Sequence, residues 1–198
     1  MPLACRAVAI GASAGGIRAL QAVLGALPAD FTVPVLIVLH LDPRHESLLA
    51  SVLRSHTLLR VKPAEDGEPL LGGTVYLGVP DLHLEVVDAR AVLASTAQVH
   101  FSRPSVDVLF RSMAADYGAA ACGVVLSGAG RDGAEGLAAI KAAGGLTIVQ
   151  DPATADHGGM PLAALATRRV DMTLAVEAIG PALVRRVMTP PYAGGVAS

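Results

Sequence analysis

The stretch Val8-Ala9-Ile10-Gly11-Ala12-Ser13-Ala14-Gly15-Gly16 constrains the fold more than any other part of the chain. It reads as a short buried strand, a glycine-rich turn and the start of a helix. Within it, Gly11-x-Ser13-x-Gly15 matches the nucleophile-elbow pattern, in which a serine on a tight strand-to-helix turn exposes its hydroxyl. The flanking glycines are expected to leave room around the serine. The free N–H groups of the following helix would stabilise an anion at the same place. Two other readings fit the same stretch. One is a glycine loop cradling the phosphates of a dinucleotide; the other is a serine that only caps the helix.

The rest of the chain continues the alternation that this opening begins. A helix is expected over 15–27, with Ile17, Leu20, Val23, Leu24 and Leu27 on one face and Pro28 as its stop. A buried strand over 33–39 ends in Leu39-His40-Leu41-Asp42-Pro43, and a second helix covers 46–55. Short extended pieces at 60–63, 75–77, 83–87 and 91–95 are broken by Asp66-Gly67, Gly72-Gly73, Pro80-Asp81 and Asp88-Ala89 and read as β-hairpins. The parallel pattern then resumes. A helix spans 105–117, a strand 121–126, and a second glycine-rich turn Ser127-Gly128-Ala129-Gly130-Arg131-Asp132-Gly133 leads into a helix ending at Ala143. A strand over 146–150, a polar loop to Gly159, a short helix opened by Met160-Pro161, a strand over 170–174 and a helix over 177–188 follow, with Pro181 in the last helix's first turns.

Alternating strands and helices predict a doubly wound, mainly parallel, Rossmann-like sheet. It would have three layers, α/β/α, and a small antiparallel hairpin appendage at one edge. One domain over 1–188 and a flexible tail over 189–198 are expected. The composition agrees: hydrophobic residues make up 53% and aromatic ones only 3%, without Trp, so the core is aliphatic as buried parallel strands require. A net charge of −2 and a pI near 6.3 leave no footprint for nucleic acid. The longest apolar run, Val33 to Leu41, contains Pro34 and His40 and is too short to span a bilayer. There is no convincing signal peptide, so no membrane insertion and a cytoplasmic location are expected. Cys5 and Cys122 lie at or in apolar runs and read as core thiols in a reducing compartment.

In open parallel sheets, ligands sit beyond the carboxyl ends of the strands. Three such ends carry reactive residues: Ser13, His40 and Asp132. A serine needs a base to take its proton, and the base needs an acid to orient it and stabilise its charged form. The order Ser…His…Asp differs from that of ordinary α/β-hydrolases, which points to a convergent triad. Each partner has a plainer reading. His40 could be a structural strand-end histidine, and Asp132 could start its own helix. His45 and His157 are rival bases, the latter near the mouth of the site. Asp107 reads as a helix cap, and His83 and His100 as ordinary surface or strand residues. His40, Asp42 and His45 could suggest a metal hydrolase, but no second ligand cluster accompanies them and no metal is expected. The other class of function is a non-catalytic or nucleotide-binding domain, with Gly11, Gly15 and Gly16 on a pyrophosphate and Asp42 on a ribose. The absence of a clean Gly-x-Gly-x-x-Gly argues against it.

With these residues assembled, the chain resembles the catalytic domain of the bacterial chemotaxis protein-glutamate methylesterases, the CheB family, over about Ala7 to Val187. The resemblance rests on Ile10-Gly11-Ala12-Ser13-Ala14-Gly15-Gly16, His40, Arg103-Pro104-Ser105-Val106-Asp107-Val108-Leu109-Phe110, Leu126-Ser127-Gly128-Ala129-Gly130-Arg131-Asp132-Gly133-Ala134, and Gln150-Asp151 with Gly159-Met160-Pro161. It implies a serine hydrolase with Ser13 as nucleophile, His40 as base and Asp132 as acid. Backbone N–H groups at Ala14 and at the Ala129-Gly130 turn would stabilise the oxyanion, and no cofactor is required. The implied reaction is demethylation of glutamate γ-methyl esters, with deamidation of glutamines as a second activity. The implied partner is a methylated chemoreceptor, acted on at its cytoplasmic helices. Leu39 stands where the family commonly has Gln, and Ala129 where it commonly has Met. The segment Leu39 to Leu49 looks most like members fused to a methyltransferase domain. The receiver domain usual in the family does not fit before Arg6, so control by a separate or fused partner is expected.

Overall fold

The computed structural model describes residues 4–40 and 48–188. The expected tail, the expected start of the second helix, Asp42 and His45 lie outside them. Strands β1 (Ala7–Ala12) and β2 (Val35–Leu39) pair in parallel and are buried at every position. Between them runs helix α1 (Gly16–Gly25). Helix α2 (Leu49–Arg54) then leads to β3 (Arg60–Pro63) and β4 (Thr74–Leu77).

Here the structure corrects the sequence reading. β3 and β4 are not hairpin strands but parallel members of the main sheet, β4 lying between β3 and β2. The reason is burial. Every residue of β4 is buried, as a strand covered on both faces must be. The Asp66-Gly67 and Gly72-Gly73 turns belong to the connection that brings the chain back to start β4 beside the start of β3. Among the strands of the described residues, only β5 (His83–Val87) and β6 (Arg90–Ala94) form an antiparallel pair. Their turn residues Asp88 and Ala89 both take positive φ, 52° and 55°, the conformation that a two-residue hairpin demands.

The second half comprises α3 (Val106–Tyr117), β7 (Ala121–Val125), α4 (Ala134–Ala142), β8 (Leu146–Gln150), α5 (Gly159–Ala166), β9 (Met172–Leu174) and α6 (Val176–Met188). Pro181 sits inside α6, not at its start. The seven-stranded sheet has the order β3-β4-β2-β1-β7-β8-β9, with every pairing parallel. Side chains of α1, α2 and α6 pack on one face, and those of α3, α4, α5 and the hairpin on the other. The chain winds outward from β1 in one direction, then from β7 in the other. The switch point between β1 and β7 is where a ligand crevice opens in such sheets.

Close approach of α3 and α4 frames that point. A Cβ on Gly136 would lie 2.6 Å from Phe110 Cβ and 2.9 Å from the Asp107 carbonyl oxygen. Overpacking of this kind costs about 1–3 kcal/mol, against the roughly 1 kcal/mol that Ala gains over Gly within a helix. With backbone among the atoms met, the cost prevails. Gly136→Ala should therefore lower the midpoint of thermal unfolding by several degrees. An unchanged or higher midpoint would mean that the two helices separate freely.

Candidate active site

The ends of β1, β2 and β7 bring the three sequence-predicted residues to one edge of the sheet. Ser13 follows β1, and its N–H donates to the Ser127 carbonyl at 3.0 Å. His40 follows β2, and its N–H donates to the Ala12 carbonyl at 3.1 Å. Asp132 lies in the connection from β7 to α4. Its Oδ2 is 2.9 Å from His40 Nε2. Ser13 is part-exposed, His40 keeps 20% of its side chain exposed, and Asp132 keeps 5%.

The Asp132 carboxylate is held by four donors. Besides His40, Ser105 Oγ donates to Oδ1 at 2.8 Å, the Val106 N–H to Oδ2 at 2.7 Å and the Asp107 N–H to Oδ1 at 3.0 Å. Those last three groups form the N-terminus of α3, whose free N–H groups favour an anion. Burial alone would raise this carboxyl group. The hydrogen bonds from His40, Asp107, Val106 and Ser105 outweigh burial and hold it at about 2. Asp132 therefore caps a helix, but not its own: α4 starts after Gly133. With the carboxylate ionised, His40 Nε2 must carry the proton that it shares. In the neutral imidazole Nδ1 is then the basic nitrogen, the reverse of the orientation common in serine proteases.

The nucleophile turn joins β1 to α1. Gly15, the residue before α1, takes the left-handed conformation at φ 72°, and Ser13 does not. Gly11 is small for a different reason than room beside the serine. A Cβ there would strike the Val106 side chain at 2.2 Å, so Gly11 lets the start of α3 reach beneath β1. Gly128 does lie against the serine: a Cβ on it would be 3.0 Å from Ser13 Cβ. Ser127 ties the neighbouring loops together. Its Oγ donates to the Ala14 carbonyl at 2.8 Å and accepts from the His157 N–H at 3.0 Å, while its N–H donates to Gln150 Oε1 at 2.8 Å. Among the described residues, the N–H groups of Ala14, Ala129 and Gly130 donate to no backbone carbonyl. They remain the candidate oxyanion donors, and Ala129 and Gly130 are exposed.

Sequence reasoning missed several positioning residues. His83 is fully buried, not a surface residue. Its Nδ1 accepts from the Ser105 N–H at 3.1 Å and its Nε2 lies 3.1 Å from the Ala97 carbonyl oxygen. Asp107 caps α4 rather than its own helix, its Oδ1 accepting from the Gly136 N–H at 2.6 Å. His100 is in a turn, with Nε2 3.2 Å from Asp107 Oδ2. His157 has an exposed side chain and serves through its backbone. Ser105, Ser127 and Gln150 all fall within the motifs quoted above. Their buried hydroxyl and amide groups at strand and helix ends are the signal that could have singled them out. Cys5 and Cys122 are free and buried.

A family model described as CheB methylesterase matches the chain across residues 8–183. The chain belongs to the CheB methylesterase family. A Leptospira interrogans relative, provisionally named a protein-glutamate methylesterase/protein-glutamine glutaminase, is 39% identical over 90% of this chain and 93% of its own length. An Anaeromyxobacter dehalogenans protein named for the same two activities is 46% identical over 89% of this chain. Against that relative the chain spans about half the length, 52%. The crystal structure of the Thermotoga maritima CheB methylesterase catalytic domain superposes with a TM-score of 0.88 at 32% identity, covering 92% of this chain and 99% of that one. The doubly wound parallel sheet with an antiparallel pair is thus the fold of the CheB catalytic domain.

The depressed carboxyl group has a consequence for stability. An unfolded Asp titrates near 3.9, so the charged form is favoured in the folded protein. The stabilisation is complete above about pH 5 and is lost progressively as pH falls through about 2, where Asp132 takes up its proton. It amounts to about 2.6 kcal/mol. Asp132→Asn should be less stable than the parent at pH 7 and lose less between pH 4 and 2, as read by urea unfolding at a series of pH values. Parallel acid limbs would mean that the four contacts do not favour the ionised form.

Proposed function

We propose that the chain is a protein-glutamate methylesterase acting by a serine-nucleophile mechanism on γ-glutamyl methyl esters of chemoreceptor cytoplasmic helices. The observation that carries this reading is the 2.9 Å contact between His40 Nε2 and an Asp132 held ionised at the start of α3. It orients an imidazole whose basic nitrogen points away from the acid, on the strand next to that of Ser13. His40 takes the Ser13 hydroxyl proton as Oγ attacks the ester carbonyl, and Asp132 stabilises the imidazolium formed. The N–H groups of Ala14, Ala129 and Gly130 receive the oxyanion. His40 then gives its proton to the departing methoxide, releasing methanol, and activates water against the acyl-enzyme. A glutamine side chain follows the same route with ammonia as leaving group. No step calls for a cofactor.

The nucleotide-binding reading is not favoured. Gly11 is occupied by contact with Val106 and is not open to a pyrophosphate. No helix among the described residues is long and apolar enough to cross a membrane. Partnership with a separate or fused methyltransferase remains part of this proposal and rests on the likeness of the Leu39 to Leu49 segment.

Methanol release from methylated receptor is the direct assay. Ser13→Ala and His40→Ala should each lower it by about 10⁴ to 10⁶, and the double variant by little more, because the two act as one unit. A serine-directed sulfonyl fluoride should abolish activity and a strong chelator should not. Multiplicative losses, or inactivation by the chelator with rescue by zinc, would overturn the mechanism.

A further inference from the structure

Behind the candidate acid stands a second buried carboxylate that the mechanism does not use. Asp107 is fully buried, and its backbone N–H donates to Asp132 Oδ1 at 3.0 Å. One of its oxygens accepts from the Gly136 N–H. The other, Oδ2, has no hydrogen-bond partner among the described residues, although His100 Nε2 lies 3.2 Å away. His100 is held there at a cost. It and Phe101 both take left-handed backbone, φ 51° and 61°, in a turn closed by Val99 and Ser102. Non-glycine residues adopt that conformation only where the surroundings over-determine it. The result is a row of four groups: His40, Asp132, Asp107 and His100. The two carboxylates are inside and the two part-exposed imidazoles outside.

We propose that Asp107, balanced by His100, is a positioning residue whose negative charge raises the proton affinity of His40 through Asp132. This rests on the reading of His40 as the base. Among the described residues, the ionisable groups facing Asp107 are His100 from the turn, Asp132 from the β7–α4 connection, Glu135 from α4 and Arg111 one turn along α3. Glu135 comes within 4.8 Å of the His100–Asp107 pair. Its own oxygens are held by Arg111 at 2.6 Å and Arg131 at 3.0 Å. It is thus neutralised locally, which leaves His100 as the main balance for Asp107 and argues against a cation between the three. The described ionisable group facing His40 is Asp132. Burial raises Asp107 above the ordinary carboxylate range, while the Gly136 N–H lowers it and the charge on Asp132 raises it further. The charge on each carboxylate disfavours the charge on the other, so each alters how firmly the other's imidazole holds its proton.

The test is an NMR titration of the His40 ring in the full chain, in wild type, D107N, H100N and the double variant. Asn at 107 keeps an oxygen for the Gly136 N–H, and Asn tolerates the left-handed backbone at 100. In D107N the His40 midpoint should fall by roughly 0.5 to 1 unit, less than the roughly 1 to 3 units that a charge in direct contact produces, because Asp107 acts through Asp132. The acid limb of kcat/KM for methanol release should move down equally. H100N should shift His40 when Asp107 is present and not when it is replaced. An unmoved His40 midpoint in D107N, or a shift from H100N that persists in the double variant, overturns the proposal. A purely structural Asp107 would move the unfolding midpoint and not the titration. If D107N does not fold, an unmoved His40 in H100N overturns it alone. The titration needs no turnover, so absence of methanol release would overturn the esterase reading and leave this test intact.

Discussion

A single carboxylate, Asp132, binds the two halves of the site together. It arrives from the connection after β7, receives the imidazole that follows β2, and closes the N-terminus of α3. Burying an ion is costly unless every lone pair is met, and here a helix start supplies the donors. Asp107 repays the capping, reaching from the first turn of α3 to the Gly136 N–H in the first turn of α4. Each helix is thus capped by an acid attached to the other. Small residues make the exchange possible. Gly11 and Gly133 both accommodate the Val106 side chain, which a Cβ on either would strike within 3 Å.

The nucleophile turn is fixed by a different set of contacts. Ser127 bonds to the Ser13 N–H, the Ala14 carbonyl and the His157 N–H, and Gln150 at the end of β8 holds Ser127 in turn. Three strand ends, those of β1, β7 and β8, therefore determine where Ser13 sits, and the serine needs no strained backbone of its own. Rigid supports on strands hold catalytic geometry more closely than loops do. The left-handed strain falls on Gly15, where glycine carries it without penalty.

Much of this was legible in the sequence, for identifiable reasons. Continuous apolar runs marked β1, β2, β7 and β8, and glycine-rich turns at their carboxyl ends marked Ser13 and Asp132. The antiparallel β5–β6 pair was legible from Asp88-Ala89. What was not legible depended on partners distant in sequence. Thr74 to Leu77 is too short to distinguish a hairpin strand from a buried parallel one by pattern alone; only pairing with β2 decides it. That Asp132 caps α3 and not α4, and that Gly11 faces Val106, follow from the approach of α3 to β1. His83 looks like any strand histidine until Ser105 and Ala97 are seen on either side of its ring.

The division of the site between dry and wet parts bears on the kind of substrate it accepts. Asp132, Ser105 and Asp107 are sealed, so the charge that orients the base is shielded from solvent and works at low dielectric. Ser13 and His40 are part-exposed, and Ala129, Gly130 and Arg131 open to the surface. Among the described residues, the reacting side therefore resembles a shelf more than a cavity. A small ester would leave such a shelf wet and its oxyanion donors hydrated. A glutamyl ester projecting from a helix brings a surface with it, and that surface excludes the water that the site itself does not. The proposed preference for a protein-borne ester thus follows from where the burial stops: the acid and its supports lie inside, while the nucleophile and the oxyanion donors await a cover that the substrate supplies.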